Sequence, residues 1–337
     1  MNEVLLKVDD VRKEFPTSSK EVVQAVAGVS LEVRKGETLG LVGETGCGKS
    51  SLARCMAHLY DVTSGSVWFE GRDITKLSRK AMRPLRRDVQ VIFQDPYGSL
   101  NPRRRVGSII GDPFAIHNIA SGAERKKKVE ELMELVGLNP EHYNRFPAEF
   151  SGGQRQRIGV ARARALRPKL VICDEPVSAL DVSIQAQIIN LLADLQKEFD
   201  LTYVFISHDL SVVRHVSDRI AVMYLGKIVE LAPTGELFGQ TRHPYTRALL
   251  SALPVADPDT ADSREQIILG GDIPSATNPP AGCRFHTRCP KARLDCAAEE
   301  PVLEPVLDDR PEHRTACFYP LTVGEDLSTA VPDLRAS

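Results

Sequence analysis

Short apolar runs alternate with amphipathic segments along most of the chain. The run at 170–175 is typical of a buried strand, and the apolar residues of 182–199 recur with the spacing of a helix that buries one face. Strands that alternate with helices indicate a three-layer α/β domain with a largely parallel sheet. The predicted strands are at 4–11, 22–33, 38–42, 65–69, 89–93, 170–175, 202–206, 219–224 and 227–231, and the predicted helices are at 51–60, 80–87 (with a loop), 106–116, 125–136, 151–166, 182–199 and 210–216.

The pattern changes after the last predicted strand. Pro, Asp and Ala dominate 254–262, which predicts a linker or an irregular loop, and 263–320 has little periodicity. The polar end of the chain, 321–337, is expected to be poorly ordered. We therefore predict a main domain at 1–252, a small irregular cysteine-rich extension at 253–320 and a disordered tail.

Composition narrows the class of protein. The 337 residues are 42% hydrophobic and 26% charged, as in soluble globular proteins, and the length favours one main domain with an appendage. A net charge of −2 gives no overall positive field for nucleic acid, and the basic runs at 103–105 and 126–128 lack interleaved aromatics, so we interpret them as solvated surfaces. No run reaches about 18 apolar residues and the first residues lack a signal peptide, so we expect a cytosolic protein that does not span the membrane.

A glycine-rich loop follows the third predicted strand. Its sequence, Gly43-Glu44-Thr45-Gly46-Cys47-Gly48-Lys49-Ser50, has the G-x-x-x-x-G-K-S spacing of a phosphate-binding P-loop. Glycines let backbone N–H groups curl around a phosphate without a Cβ in the way. Lys49 can reach the β- and γ-phosphates, Ser50 can ligate Mg²⁺, and a helix that starts near Lys49 points its positive dipole end at the same anion. The strand–loop–helix context favours a phosphate site over a plain turn.

Two other segments carry candidate chemistry. The strand at 170–175 delivers Asp174 and Glu175 at its carboxyl end, the edge at which ligands bind in open parallel sheets. Packing does not explain two adjacent acids there, since burying them unpaired is costly. Ser151-Gly152-Gly153-Gln154 opens a helix with a good N-cap, and on its own this is a weak signal.

The order of these motifs resembles that of the ATP-binding cassette (ABC) ATPases, over about 4–252. Phe150 departs mildly from the Leu that usually precedes the family's signature. The resemblance implies a P-loop NTPase cassette with an antiparallel β subdomain and a helical subdomain at about 96–165. The matching elements are the P-loop, Gln94, Ser151 to Gln154, Leu170 to Glu175, Ser178-Ala179-Leu180-Asp181 and His208.

Three stretches are similar to the ATPases of oligopeptide and dipeptide importers. They are Phe93-Gln94-Asp95-Pro96-Tyr97-Gly98-Ser99-Leu100-Asn101-Pro102, His243-Pro244-Tyr245-Thr246-Arg247-Ala248-Leu249-Leu250 and Cys283-Arg284-Phe285-His286-Thr287-Arg288-Cys289-Pro290. The resemblance implies an ATPase subunit, peripheral on the cytoplasmic face, that energises peptide import through two separate membrane subunits. Its further partners would be a second cassette, either a related chain or another copy, and indirectly an extracytoplasmic solute-binding protein.

The resemblance also implies a role for each matching residue. Phe15, placed in an early loop, would stack on adenine, although a half-buried hydrophobic anchor explains it equally well. Glu175 would be the general base for the attacking water, and His208 would contact the γ-phosphate and orient that base. ATP would be bound by Gly43, Glu44, Thr45, Gly46, Cys47, Gly48, Lys49, Ser50 and Ser51, Mg²⁺ by Ser50, Gln94 and Asp174, and the γ-phosphate on the partner cassette by Ser151, Gly152, Gly153 and Gln154, with Asp181 at the dimer interface.

Three other functions remain open at the level of sequence. Nickel importers share the cysteine-rich extension, so a nickel or other solute importer would have the same architecture. A soluble cassette ATPase acting in DNA repair or on the ribosome predicts paired cassettes, a long coiled-coil insertion or basic surfaces, and the sequence has none of these. A protein that binds ATP without hydrolysing it is disfavoured by the presence of both Glu175 and His208.

Four of the seven cysteines cluster as Cys283-x5-Cys289-x6-Cys296-x20-Cys317. In a reducing cytosol such a cluster is more often a metal site than a disulfide framework. Structural zinc usually has tighter pairs, so the spacing suits a [4Fe–4S] cluster better, and the resemblance to peptide importers, which can carry one, supports it. Zinc and four reduced thiols in an irregular domain are the alternatives, and His286 and His313 are expected at the surface.

Overall fold

The computed structural model describes residues 3–17, 21–95, 97–253, 266–306, 309–325 and 327. Their contacts divide the chain into two interleaved compact units. The first contains the described residues of Met1–Leu6, Val33–Thr38 and Phe69–Ser207, and the second those of Lys7–Glu32, Leu39–Trp68 and His208–Ser337.

Strands and helices are numbered in chain order. The strands are β1 (Val4–Pro16), β2 (Val22–Arg34), β3 (Thr38–Val42), β4 (Ser64–Phe69), β5 (Arg72–Asp73), β6 (Val89–Ile92), β7 (Leu170–Asp174), β8 (Thr202–Ser207), β9 (Arg219–Tyr224), β10 (Lys227–Pro233), β11 (Glu304–Pro305) and β12 (Arg314–Thr315). The helices are α1 (Lys49–Met56), α2 (Arg79–Met82), α3 (Val106–Ile116), α4 (Gly122–Leu135), α5 (Gly152–Arg164), α6 (Val182–Phe199), α7 (Leu210–Val216), α8 (Thr234–Gly239), α9 (Pro244–Ser251) and α10 (Leu294–Ala298), and short 3₁₀ turns occur at Leu85–Arg87, Pro140–Asn144 and Pro147–Glu149.

The first unit is built on three parallel strands, β6, β7 and β8, with β7 in the middle. Ile92 lies opposite Cys173, and Asp174 lies opposite Ile206, so the carboxyl ends of the three strands meet at one edge. Every residue of β7 and β8 is buried. This explains why both strands lack the alternation of a half-exposed strand.

Helices α3, α4 and α5 pack against one another in the first unit. Their contact is apolar, with Ile110, Val129, Met133 and Ile158 fully buried. The guanidinium of Arg162 donates to the carbonyl of Ser99 (2.7 Å), which joins α5 to the segment that follows β6.

The second unit contains a mixed sheet and an antiparallel one. In the mixed sheet β3 pairs with β9 in parallel, and β9 with β10 and β10 with β12 in antiparallel fashion. Strands β2, β1 and β4 lie side by side in that order in the other sheet. Because β3 leads directly through residues 43–48 into α1, the predicted strand–loop–helix context is confirmed.

Several element boundaries differ from the prediction. β1 extends to Pro16, so Phe15 lies in a strand and not in an early loop. Helix α1 ends at Met56 instead of residue 60, since the chain turns at residues 57–60. β7 ends at Asp174, and Glu175 follows it with a left-handed backbone (φ 45°).

The cysteine-rich extension is more regular than its sequence suggests. It contains α10, and β12 pairs with the edge of β10, with Thr315 opposite Glu230. Leu321 is buried and its N–H donates to the carbonyl of Arg242 (2.8 Å). The predicted linker at 254–262 and the end of the chain, 328–337, lie outside the described residues.

A buried polar network anchors the extension to β10. His313, expected at the surface, is fully buried, with Nε2 2.8 Å from Oε1 of Glu230. The carboxylate of Glu230 also accepts from the backbone N–H groups of Arg242 (2.7 Å) and His243 (3.1 Å). The surface prediction was wrong because the partners of His313 come from distant segments that fold over it, which hydrophobic patterning does not reveal.

Within the described residues, no helix is long and apolar enough to cross a bilayer.

Candidate functional site

Three glycines give the P-loop its shape in the second unit. Gly43, Gly46 and Gly48 all have positive φ, at 152°, 82° and 107°. A Cβ on Gly43 would lie 2.1 Å from the carbonyl oxygen of Met223, and one on Gly48 would lie 2.0 Å from that of Ala25. At these two positions a side chain is excluded by backbone as well as by conformation.

The lysine of the loop is held by the loop's own backbone. Lys49 is buried, and its ammonium donates to the carbonyl oxygens of Gly43 (2.7 Å) and Glu44 (3.1 Å). Helix α1 begins at this residue, as predicted, and Gly48 is its N-cap. The positive end of the helix and the Lys49 charge therefore both lie at the loop, where they favour an anion.

The other loop residues differ in exposure. Thr45 and Gly46 are exposed at the tip, whereas Ser50 and Ser51 lie half-buried in the first turn of α1. Cys47 is buried, and burial raises the pKa of its thiol, although the Lys49 charge opposes that rise. The thiol is therefore protonated at neutral pH and has little nucleophilic character.

The candidate catalytic carboxylate lies in the first unit with a glutamine beside it. The side-chain amide of Gln94 donates to Oε2 of Glu175 (3.0 Å). The N–H of Glu175 donates to the carbonyl of Ile206 (3.1 Å), which ties its backbone to β8. Asp174, the last residue of β7, is 2% exposed. The structure thus brings Gln94, Asp174 and Glu175 to the same edge of the parallel strands.

The Ser151-Gly152-Gly153-Gln154 segment starts α5 with a reciprocal cap. Ser151 Oγ accepts from the N–H of Gln154 (3.3 Å), and Gln154 Oε1 accepts from the N–H of Ser151 (3.0 Å). A Cβ on Gly153 would lie 2.4 Å from a methyl group of Ile184, so close packing on α6 requires glycine there. Ser151 and Gln154 are exposed, which leaves this helix start accessible.

The remaining predicted site residues are Phe15, His208 and Asp181. Phe15 packs edge-on against Tyr60 (5.5 Å between ring centroids), with the Lys13 ammonium 4.8 Å from its ring centroid. His208 is exposed directly after β8, and Asp181 is exposed at the start of α6. Their contacts with nucleotide or partner remain predictions.

Sequence reasoning missed two residues that contact the P-loop. The guanidinium of Arg288 makes a two-point ion pair with the Glu44 carboxylate (2.9 and 3.2 Å). The hydroxyl of Tyr245 accepts from the Glu44 N–H (3.0 Å). Both belong to stretches that carried the family resemblance, so the motifs marked them, but nothing in the sequence showed that they reach the loop.

The four clustered cysteines line one small cavity, with Phe285 and Tyr319 among its other walls. Burial is the main cause that raises the pKa of all four thiols, and neighbouring thiols add to it at Cys283, Cys289 and Cys317. Together these effects bring the pKa of Cys289 and Cys317 to about 12. Across the described ranges, no three His, Cys, Asp or Glu side chains are arranged to hold a metal ion as they stand. The geometry therefore does not confirm the predicted metal site.

Comparison with protein families and curated proteins gives consistent matches. Residues 26–178 match the ABC transporter family, and residues 229–296 match the family described as oligopeptide/dipeptide transporter, C-terminal region. The oligopeptide transport ATP-binding protein AppF of Bacillus subtilis is 54% identical over 94% of this chain and 97% of its own length. The di/tripeptide transport ATP-binding protein DppF of Pseudomonas aeruginosa is 48% identical over 94% of this chain and 98% of its own.

Solved structures agree with the cassette fold. A dimeric post-hydrolysis structure of the ATP-binding cassette MJ0796, bound to ADP and Pi, is 28% identical to this chain with a TM-score of 0.63. The match covers 68% of this chain and 99% of that one. A structure of CbiO1 from Clostridium perfringens, part of the CbiONQ transporter complex, has a TM-score of 0.62 at 27% identity and covers 71% of this chain and 92% of its own.

Proposed function

Since this chain belongs to the ABC transporter ATPases, in the branch with the oligopeptide/dipeptide C-terminal region, we propose that it hydrolyses ATP to drive peptide import. It acts on the cytoplasmic face as a peripheral subunit, with two membrane subunits and, indirectly, a solute-binding protein. The observation that carries the proposal is the Gln94–Glu175 hydrogen bond beside Asp174, because it orients a carboxylate where a general base is needed. Two relatives are named as oligopeptide and di/tripeptide transport ATP-binding proteins, and these names support the choice of peptides as the substrate.

The loop binds the phosphates and the first unit supplies the base. Lys49 moves its ammonium from the P-loop carbonyls to the β- and γ-phosphates, and the backbone N–H groups of Gly46 and Gly48 donate to them. Glu175 accepts a proton from the attacking water, and the amide of Gln94 holds that carboxylate in place. His208 contacts the γ-phosphate and orients the same carboxylate, as the family resemblance implies. Phe15 stacks on the adenine.

Three side chains are the proposed ligands of Mg²⁺. Ser50, Gln94 and Asp174 offer a hydroxyl, an amide oxygen and a buried carboxylate, which are the hard oxygen ligands that Mg²⁺ prefers. When bound there, the ion neutralises charge that develops on the transferred phosphoryl group.

Each ATP is shared between two cassettes. Ser151 to Gln154 present an accessible helix start, and such a start binds anions through its free N–H groups and its dipole. They contact the γ-phosphate of ATP bound to a second cassette, while Asp181 lies at the interface. Hydrolysis removes that γ-phosphate, so the two halves lose their common ligand and separate.

The cysteine cavity is the candidate site of a [4Fe–4S] cluster. The residue types fit such a cluster, because four thiolates complete it and Cys283, Cys289, Cys296 and Cys317 all line the cavity, although they are not arranged to hold a metal ion as they stand. The thiols are protonated without a ligand and must release their protons and draw together on binding. The bound cluster would crosslink segments that are far apart in the chain. Zinc is the alternative metal.

The test is reconstitution of the transporter. The chain should co-purify with membrane subunits and a solute-binding protein, and peptides should stimulate its ATPase activity in proteoliposomes. Glu175→Gln in the same preparation is the control for activity from other ATPases. Stimulation by Ni²⁺ but not by peptides would replace the peptide assignment with nickel import. If no membrane subunit co-purifies with the chain, the transport role is overturned.

A further inference from the structure

One residue of the P-loop is held at three points. The N–H of Glu44 donates to the Tyr245 hydroxyl, its carbonyl accepts from Lys49, and its carboxylate pairs with Arg288. Two of these three partners, Tyr245 and Arg288, lie far along the chain from the loop. All four residues belong to the second unit. The conformation of the loop is therefore determined partly by residues some 200 positions or more away.

The side chain of Arg288 is largely buried. Its side chain is 8% exposed, and that of Glu44 is 23% exposed. A guanidinium that meets a carboxylate with two parallel hydrogen bonds is directional as well as charged, so it sets the position of its partner. The carbonyl of the same Glu44 accepts from the Lys49 ammonium, so the position of Glu44 bears on the lysine that binds phosphate.

An aromatic cluster connects Tyr245 to the C-terminal extension, which contains Arg288. Phe285 packs against Tyr245 (5.3 Å between centroids) and edge-on against Tyr224 (5.2 Å). Arg288 donates its backbone N–H to the carbonyl of Phe285 (3.0 Å), and Cys289 follows it in the chain. Arg288, which pairs with Glu44, therefore lies in the same segment as Phe285 and Cys289, and both of these residues line the cysteine cavity.

We infer that Arg288 is a positioning residue for ATP binding, which acts through Glu44 to pre-organise the P-loop and so makes nucleotide affinity depend on the C-terminal extension. The physical reason is entropic. A loop with glycines at three of its positions has many conformations when free, and holding Glu44 lowers the ordering cost that ATP binding must meet. The inference rests on the proposed function, since it takes this loop as the ATP-binding loop.

Nucleotide affinity of the full chain tests the inference directly. The dissociation constant of a fluorescent ATP analogue is measured without Mg²⁺, so that no hydrolysis occurs. Arg288→Ala should weaken binding about tenfold. Arg288→Lys should weaken it less, because lysine keeps the charge but not the two-point geometry. The matched control is Arg293→Ala in the same extension, whose guanidinium stacks 3.9 Å from the Tyr319 ring centroid and whose loss should change affinity less than about twofold.

Steady-state kinetics and hydrogen exchange distinguish a positioning role of Arg288 from a general loss of structure in Arg288→Ala. Arg288→Ala should raise the KM for ATP and leave kcat nearly unchanged, because the loop contact is equally present in the ground and transition states. Bound nucleotide should slow hydrogen exchange across residues 283–296 in the wild type and not in Arg288→Ala, since coupling between two sites is reciprocal.

Glu44→Ala provides a second arm that leaves the extension unaltered. In that background Arg288→Ala should add less than about a twofold loss of affinity, because the pair is already broken. Additive losses, or wild-type affinity in Arg288→Ala, would overturn the inference. A wild-type protein that does not bind ATP would instead remove the proposed function.

Discussion

Gln94 and Glu175 join the ends of two neighbouring parallel strands by a 3.0 Å hydrogen bond from the glutamine amide to the glutamate Oε2. An amide donor fixes the direction of the carboxylate without neutralising its charge. The backbone of Glu175 is also held, through its N–H and the carbonyl of Ile206. A carboxylate that is both charged and oriented is what a general base requires.

Replacing this carboxylate should separate binding from turnover. Glu175→Gln keeps the size of the side chain but removes the proton acceptor, so kcat should fall by at least about 100-fold. ATP-dependent association of the cassettes should persist, because the phosphate-binding residues are unchanged. Phosphate release and size-exclusion chromatography with ATP measure the two properties. Glu198→Gln, at an exposed position of α6, is the matched control. Full ATPase activity in Glu175→Gln would rule out the base assignment.

Two P-loop glycines should respond differently to alanine. Gly46 and Gly48 both have positive φ, but only at Gly48 would a Cβ meet backbone, 2.0 Å from the Ala25 carbonyl oxygen. Gly46→Ala should therefore cost about 1–2 kcal/mol of unfolding free energy from conformational strain alone. Gly48→Ala should cost clearly more, since the neighbouring strand must shift. Urea unfolding without nucleotide measures both, and equal losses would contradict the steric argument.

A buried histidine should make stability depend on pH. His243 is 1% exposed and burial lowers its pKa to about 4, although the Glu230 charge opposes that change. Between the ordinary value near 6.5 and about 4, the unfolded chain binds a proton that the folded chain does not. The free energy of unfolding should therefore fall by up to about 3 kcal/mol as the pH drops from 7 to 4, and should level off for this group below pH 4.

His243 is also the N-cap of α9, so a matched variant can keep the cap and remove the titrating group. Its Nδ1 accepts from the N–H of Tyr245 (3.1 Å) at the start of α9. His243→Asn can keep that hydrogen bond but does not titrate, so its unfolding free energy should be lower at pH 7 but vary less with pH. Urea titrations at several pH values test this. Parallel pH profiles for the two proteins would assign the acid sensitivity to other groups.

Protein purified without oxygen should be coloured. If the four cysteines hold iron and sulfur, a band near ~400 nm should be present in the wild type and lost in Cys289→Ser. Cys55→Ser, which alters a buried cysteine of α1, is the control and should keep the band. Stoichiometric zinc in a colourless protein would replace the cluster with zinc, and the absence of any metal would leave four reduced thiols.

Local sequence patterns were sufficient to predict the cassette fold and to locate its motifs. The runs that form β3, β7 and β8 are buried throughout, so their sequences are mainly apolar and lack the alternation of a half-exposed strand. Element ends were less accurate, as at α1 and at Phe15, because the residues there are compatible with either continuation or a turn. The extension was the least predictable part, since its strands are two residues long and have no period.

The sequence by itself determined the P-loop, the two carboxylates at the end of β7 and the capped start of α5, because each is a local arrangement of residue types. Only the tertiary structure decided that His313 lies buried on Glu230 and that Arg288 and Tyr245 hold Glu44. These partners are separated by 83, 244 and 201 residues. A contact over such a distance depends on where the intervening chain folds, and neither propensity nor periodicity carries that information.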